Sequence, residues 1–270
     1  MPEPAISSRQ NPRVKQACAL RSRQQRDQTC QALVDGVRES ARACAAGAKV
    51  MLVFYCPALF RAPEANEVVN RLASNGAELL EVTTEVFEKL AYGDRMDGLV
   101  SIVATRSTQL ANLKLSDRPL ISVIERVEKP GNLGAILRTA DGAGIDAVVV
   151  ADPVIDLFNP NTIRASVAGV FRPNVATASV GETLAWLRSA GLAMWAARPD
   201  AQTKYYELDY TQPGAIVLGN EAEGLSETWN ASDITPVALP MHGIADSLNV
   251  SATAAVLFYE ARRQRDQVAN

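Results

Sequence analysis

Apolar residues along this chain gather in short runs that alternate with stretches where they recur every three to four positions, the pattern of strands and helices taken in turn. In the first third, helical material over residues 28–46 leads to an apolar strand at 50–55. A helix near 64–74, a strand at 78–82, a short helix at 84–91 and a strand at 99–105 follow. Residues 106–119 are polar, lack a clear period and end in Ser-Asp-Arg-Pro, which predicts a linker. Beyond it come a strand at 120–125, a helix at 134–143, a strand at 147–151, a helix at 161–168 and a strand at 174–178. A helix at 182–189, strands at 192–196, 215–218 and 235–239, and a last helix over 247–265 complete the series. This alternation predicts an α/β fold whose second half is built on a mostly parallel sheet. The expected division is a small α/β domain over 1–106, a linker over 107–119 and a second domain over 120–270. On the last helix Leu248, Ala252, Ala255, Val256 and Tyr259 form an apolar stripe, read as core or subunit interface.

Composition narrows the class. With 270 residues, 47% hydrophobic and 21% charged, the chain can bury a sizeable core. No apolar run approaches the ~20 residues that cross a bilayer, and residues 1–26 lack the apolar centre of a signal peptide. A cytoplasmic protein without a membrane span is expected. Cys18, Cys30, Cys44 and Cys56 are too widely spaced for a zinc site and read as reduced structural residues. His242 is the only histidine, which argues against Ser-His-Asp triads and histidine metal sites, so no metal is expected.

The net charge of −3 is unevenly spread: residues 1–26 hold six basic residues against Glu3, a local +5, and the remainder holds 21 basic against 29 acidic, −8. A basic arm on an acidic body suits phosphate contact, because counterion release depends on local charge. A solvated helix or frayed terminus is the alternative.

Gly142-Ala143-Gly144-Ile145-Asp146-Ala147 matches a dinucleotide-binding pattern in the wrong context, since its glycines follow a helix and open a strand. They read as a helix stop, and no P-loop is present. Three other segments sit where predicted strands end, the place where α/β sheets bind ligands. In the first, Asn132-x-Gly134-x-x-x-Arg138, Gly134 at a helix mouth permits close approach and Arg138 stands on the same face one turn on. The second, Gly219-Asn220-Glu221-x-x-Gly224, forms a loop directly after a strand. The third, Leu239-Pro240-Met241-His242-Gly243 running to Ser247-Leu248-Asn249-Val250-Ser251, precedes a helix that Ser247 is placed to cap.

Taken jointly and in this order, these segments resemble the three motifs of the SpoU/TrmH family of S-adenosylmethionine-dependent RNA ribose 2'-O-methyltransferases. Asn159-Pro160 with Arg164-Ala165-Ser166 resembles the segment between the first two motifs. Residues 8–15 and Val34-Asp35-Gly36 resemble a substrate-binding domain with the fold of a large-subunit ribosomal protein. The resemblance implies a SPOUT domain with a trefoil knot, a homodimer with the active site near the subunit interface, and S-adenosylmethionine as cofactor. It implies cofactor contacts from Leu218, Gly219, Asn220, Gly224, Leu239, Met241, Ser247 and Leu248, and places Asn132, Arg138, Glu221, Ser247 and Asn249 around the reacting hydroxyl. RNA contacts are expected from Arg9, Asn11, Arg13, Lys15, Arg21, Arg23 and Arg164.

A guanidinium is always protonated and has no acceptor, so the role expected for Arg138 is electrostatic: stabilising charge on the oxygen or holding a phosphate. Glu221 is either part of the reacting centre or a partner that orients Arg138. His242 is read as incidental. Tyr205, Tyr206 and Tyr210 are candidates for base stacking, with packing as the alternative. A ribosomal-protein-like domain and the run Asp209-Tyr210-Thr211-Gln212-Pro213 favour 23S rRNA. Transfer RNA is the enzymatic alternative, and an RNA-binding protein without catalysis the competing class.

Overall fold

The computed structural model describes residues 5–93 and 96–269, which divide into two compact units, residues 1–106 with Asp156–Arg172, and Ser107–Ile155 with Pro173–Asn270. The first unit contains helices α1 (Pro12–Ala19) and α2 (Arg23–Thr29), strand β1 (Gln31–Asp35), helix α3 (Val37–Ala45), strand β2 (Val50–Tyr55), helix α4 (Ala65–Ser74), strand β3 (Glu78–Glu81), helix α5 (Thr84–Leu90) and strand β4 (Leu99–Ala104). Its four-stranded sheet runs β1-β4-β2-β3, with β4 antiparallel to both neighbours and β2 parallel to β3. Val14, Leu33, Phe54, Phe87 and Val100 pack together in its core.

The helix expected over 28–46 is interrupted by β1. Cys30 ends α2 in the left-handed region at φ 51°, and Gly36 at φ 117° separates β1 from α3. Ala32, Leu33 and Val34 are fully buried against β4, so pairing with residues some seventy positions away overrides a helix-compatible local sequence. Helix α1 opens on an Asn-Pro signal, with the Asn11 side chain accepting from the Arg13 amide at 2.8 Å and Pro12 at the first helical position.

Much of the basic arm is occupied in building this unit. Arg13 forms a two-pronged ion pair with Glu78, with Nη1 to Oε1 at 3.0 Å, which raises the arginine's pKa and lowers the glutamate's. Arg21 donates to the Lys89 and Ala91 carbonyls that end α5. Arg26 is 3% exposed, pairs with Asp156 at 2.5 Å and donates to the Leu20 and Arg21 carbonyls. That pair ties the inserted segment, with helix α7 (Pro160–Ala165), to the unit. Replacing Arg26 with alanine leaves the largely buried Asp156 carboxylate with the Phe158 amide but no cation, so a loss of about 3–5 kcal/mol in denaturant-unfolding stability is expected. A change below about 1 kcal/mol would show the pair to be dispensable.

The second unit contains strand β5 (Leu120–Glu125), helix α6 (Pro130–Ala143), strands β6 (Ala147–Ala151) and β7 (Val175–Ala178), helix α8 (Val180–Ser189), strands β8 (Ala193–Ala197), β9 (Gly214–Leu218) and β10 (Ile234–Val237), and helix α9 (Val250–Ala269). Its six-stranded sheet is parallel throughout, in the order β10-β8-β9-β5-β6-β7. From β5 the chain moves outward through β6 to β7, whereas β9 lies on β5's other side. The crevice beyond the carboxyl ends of β5 and β9 is therefore the place where such a sheet takes a ligand.

The segment read as a linker is laid on the second unit, where Leu110, Leu113 and Leu115 pack against its core and Thr108 hydrogen-bonds Thr177. Gly144 ends α6 at φ 67°, the helix stop expected of it. On α9 the buried face is Val250, Ala254, Leu257, Phe258 and Ala261, while Leu248 and Tyr259 of the expected stripe are 41% and 53% exposed. Tyr210 is buried edge-on to Trp195 at 4.9 Å, so it packs rather than stacks on a base, whereas Tyr206 is exposed.

Candidate active site

The second motif follows β9 as a closed loop. The Asn220 amide donates to the Gly224 carbonyl at 2.9 Å and the Gly224 amide returns a bond to the Asn220 carbonyl at 3.1 Å. The buried Asn220 side chain fills the turn, its Oδ1 accepting from the amides of Ala222 and Glu223 at 2.7 and 3.1 Å. Its Nδ2 donates to the Arg126 carbonyl at 2.8 Å, which fastens the loop to the end of β5. Gly219 lets the strands of the loop come this close, because a Cβ there would stand 2.5 Å from the Gly224 carbonyl oxygen.

The loop presents Glu221 to the first motif. Asn132 Nδ2 donates to Glu221 Oε1 at 2.5 Å, and the Glu128 amide lies 3.4 Å from Oε2. Asn132 Oδ1 in turn accepts from Asn249 Nδ2 of the third motif at 3.3 Å. Asn249 also caps α9, its Oδ1 accepting from the Ser251 amide at 2.9 Å and hydroxyl at 2.7 Å. The cap is thus Asn249 and not Ser247, because α9 starts at Val250. One hydrogen-bonded chain, Asn249 to Asn132 to Glu221, joins the three motifs.

Beside this chain lies a cavity of about 580 Å³, in the range of small-molecule sites. Leu218, Gly219, Asn220, Gly224, Leu239, Met241, Ser247 and Leu248 all line it, as do Glu221 and Asn249. Asn132 and Arg138 do not. Helix α6 begins at Pro130, so Gly134 lies buried inside it rather than at its mouth. Arg138 is six residues beyond Asn132, about 9 Å along the axis and a third of a turn away. It is exposed, and its guanidinium has no ion pair or hydrogen bond among the described residues. Glu221 is held by Asn132, so the salt bridge to Arg138 considered from sequence is absent among the described residues.

Sequence reading passed over Lys129 and Arg198, which add positive charge to the lining. Lys129 precedes Pro130 at the entrance of α6 and Arg198 follows the last residue of β8, positions where strand-end loops of this fold carry chemistry. Of the residues expected to meet RNA, Lys15 is exposed, Arg9 and Arg23 form exposed pairs with Glu88 and Asp27, and Arg164 lies beside Gly93. Among the described residues no cluster of histidine, cysteine, aspartate and glutamate could hold a metal ion, and no helix is long and apolar enough to cross a membrane.

A parallel α/β sheet whose strand-end loops enclose a small-molecule cavity, with an amide and carboxylate chain at its rim, defines a ligand-binding α/β enzyme domain. Residues 119–259 match the SpoU rRNA Methylase family, and residues 11–101 match the MRM3-like substrate binding domain. The chain belongs to the SpoU rRNA Methylase family. A curated relative, the 23S rRNA (uridine(2479)-2'-O)-methyltransferase of Streptomyces viridochromogenes, is 30% identical over 268 residues, 96% of this chain and 92% of that one. A crystal structure of an RNA 2'-O ribose methyltransferase superposes with a TM-score of 0.85 at 40% identity, covering 97% of this chain and 99% of the other. The AdoMet-bound rRNA methyltransferase of Sinorhizobium meliloti gives 0.86 at 29% identity, covering 96% and 97%.

Proposed function

We infer that this protein transfers a methyl group from S-adenosylmethionine to a ribose 2'-hydroxyl in RNA, with 23S rRNA as substrate. The observation that carries this reading is the chain Asn249–Asn132–Glu221 at the rim of the cavity formed by the second and third motifs. The full-length likeness to a 23S rRNA methyltransferase, both units included, favours ribosomal over transfer RNA.

The cavity's size, its apolar Leu218, Leu239 and Leu248, and the exposed backbone of a glycine-tight loop fit S-adenosylmethionine. Bound there, that molecule supplies an electrophilic methyl on a sulfonium. Gly219, Asn220, Gly224, Met241 and Ser247 complete its walls. Asn132, Glu221, Ser247 and Asn249 hold the ribose hydroxyl in line with the methyl, and positioning of this kind contributes much of the rate. Transfer of that methyl to the 2'-oxygen would leave the sulfur as a neutral thioether and release the hydroxyl proton to solvent water. Arg138 stabilises the developing oxyanion or the adjacent phosphate. Arg9, Asn11, Arg13, Lys15, Arg21, Arg23 and Arg164 supply RNA contacts, with the exposed Lys15 the least engaged elsewhere.

A homodimer belongs to this reading. Tyr259 leaves apolar surface open on α9, which packs on α6, and so does Leu248 just before that helix; Arg138 on α6 is exposed and does not line its own chain's cavity. A second protomer covers the first feature and uses the second. The trefoil knot of the SPOUT domain and a cytoplasmic location complete the proposal. The test is incubation with radiolabelled S-adenosylmethionine and, separately, unmodified 23S rRNA, 16S rRNA and bulk tRNA, followed by mapping of the labelled ribose. Label in 23S rRNA is expected; label only in tRNA would overturn the substrate, and no label with no cofactor binding would favour a non-catalytic RNA-binding protein.

A further inference from the structure

Beneath the second-motif loop lies a polar cluster that none of the three motifs includes. Glu125, the last residue of β5, follows Ile121 and Val123 on the strand face that builds the core, and it is 1% exposed. Its Oε2 accepts the Ser226 amide at 2.9 Å, while Oε1 is buried with no hydrogen bond among the described residues. Arg198, at the end of β8, directs Nη2 to the Ser226 carbonyl at 3.4 Å and also lines the cavity. Ser226 immediately follows the Gly219–Leu225 loop and starts the turn Glu227–Asn230, whose Trp229 is buried in the core.

A nearly bare carboxylate is expensive to bury, and for stability alone an apolar residue would serve better at this position. What the carboxylate does accomplish is directional. Asn220 fastens the front of the loop to Arg126, and Glu125 fastens its back to the end of the same strand. We propose that Glu125 is a positioning residue for the cofactor: it tethers the far end of the second-motif loop through the Ser226 amide, with Arg198 gripping the other side of the same residue. Arg198 carries the tether to the wall of the cavity. This inference rests on the reading of that cavity as the S-adenosylmethionine site.

The test is calorimetric titration of the full chain with S-adenosylmethionine, alongside thermal unfolding. Glu125→Leu removes the acceptor and the charge; its Kd is expected to rise at least about tenfold while Tm stays the same or rises. Glu125→Gln keeps an oxygen for the Ser226 amide, and its Kd is expected within about threefold of the unaltered protein. Ser226→Pro deletes the amide donor, along with a hydroxyl that makes no hydrogen bond among the described residues, at a position whose φ is already −63°, and is expected to weaken binding as Glu125→Leu does. The double variant is expected to bind no more weakly than either single one, the mark of a shared contact. A Kd for Glu125→Leu within about twofold of the original, a fall in its Tm parallel to the loss of binding, or multiplicative effects in the double variant would each overturn the proposal. Failure of the unaltered protein to bind the cofactor would instead overturn the reading beneath it.

Discussion

Replacing Arg138 with alanine is expected to lower methyl transfer to 23S rRNA by at least about a hundredfold while leaving S-adenosylmethionine affinity within about twofold. The two halves of this expectation come from different observations. Arg138 is exposed, has no partner among the described residues and does not line the cavity, so its loss removes nothing that holds the fold or the cofactor pocket. An exposed substitution of this kind changes stability by no more than about 0.5 kcal/mol. Its remaining use is as a cation presented to something that arrives. A preorganised donor aimed at a developing oxyanion is worth about 2.7–4 kcal/mol of barrier, which sets the size of the effect. Lysine at the same position should restore little, because a point charge on a flexible stem does not reproduce the planar two-pronged contact. Single-turnover transfer with each variant, read beside calorimetric cofactor titration, separates the possibilities. Activity within about threefold of the original would remove Arg138 from the reaction, and a matching loss of cofactor affinity would reassign it to binding.

Strands were legible wherever an apolar run was bounded by turn residues. The run 120–125 is β5 from end to end, and 147–151 is β6. Periodicity failed where a strand is brief and its neighbours are good helix formers. Gln31–Asp35 sits between α2 and α3, and only its pairing with β4 makes it extended. Charge also misled in the same region. Arg26 counts toward a basic arm in the sequence, yet it is buried on Asp156, 130 residues away, a contact no local pattern announces. On α9 both faces carry apolar residues, and spacing cannot say which one meets the core.

At the site, residue identity and order were enough to assemble the cavity's lining, because motif residues at strand ends converge in any parallel sheet. Their connections were not readable. The Asn132 to Glu221 bond spans 89 positions and displaced the expected partner of Glu221. Glu125 and Arg198 were passed over because each looks like the polar stop of an apolar run. The available signal was an acid at the end of a six-residue strand buried throughout, where solvation cannot explain the charge.

The backbone of the loop decides the other large effect. Gly219→Ala is expected to abolish measurable cofactor binding, raising Kd at least about a hundredfold, although the substitution adds one methyl group. Gly219 has an unremarkable backbone angle, so the objection is to space and not to conformation. The added Cβ would stand 2.5 Å from the Gly224 carbonyl oxygen and 2.6 Å from the Leu225 nitrogen, both backbone atoms that no rotamer change can clear. Relief requires opening the reciprocal Asn220 and Gly224 bonds, and with them the turn that aims Glu221 at Asn132. Gly224→Ala makes the opposite case. A Cβ there meets nothing within 4 Å, but φ is 71°, so only conformational strain of about 1–2 kcal/mol is added. Binding by the Gly224 variant should therefore weaken by no more than about thirtyfold, well short of the Gly219 variant. Equal losses would mean that loop flexibility, and not the contact between the two glycines, shapes the pocket. A Gly219 variant that binds within about fivefold would mean the loop opens readily, and that the cofactor is held chiefly by the third motif.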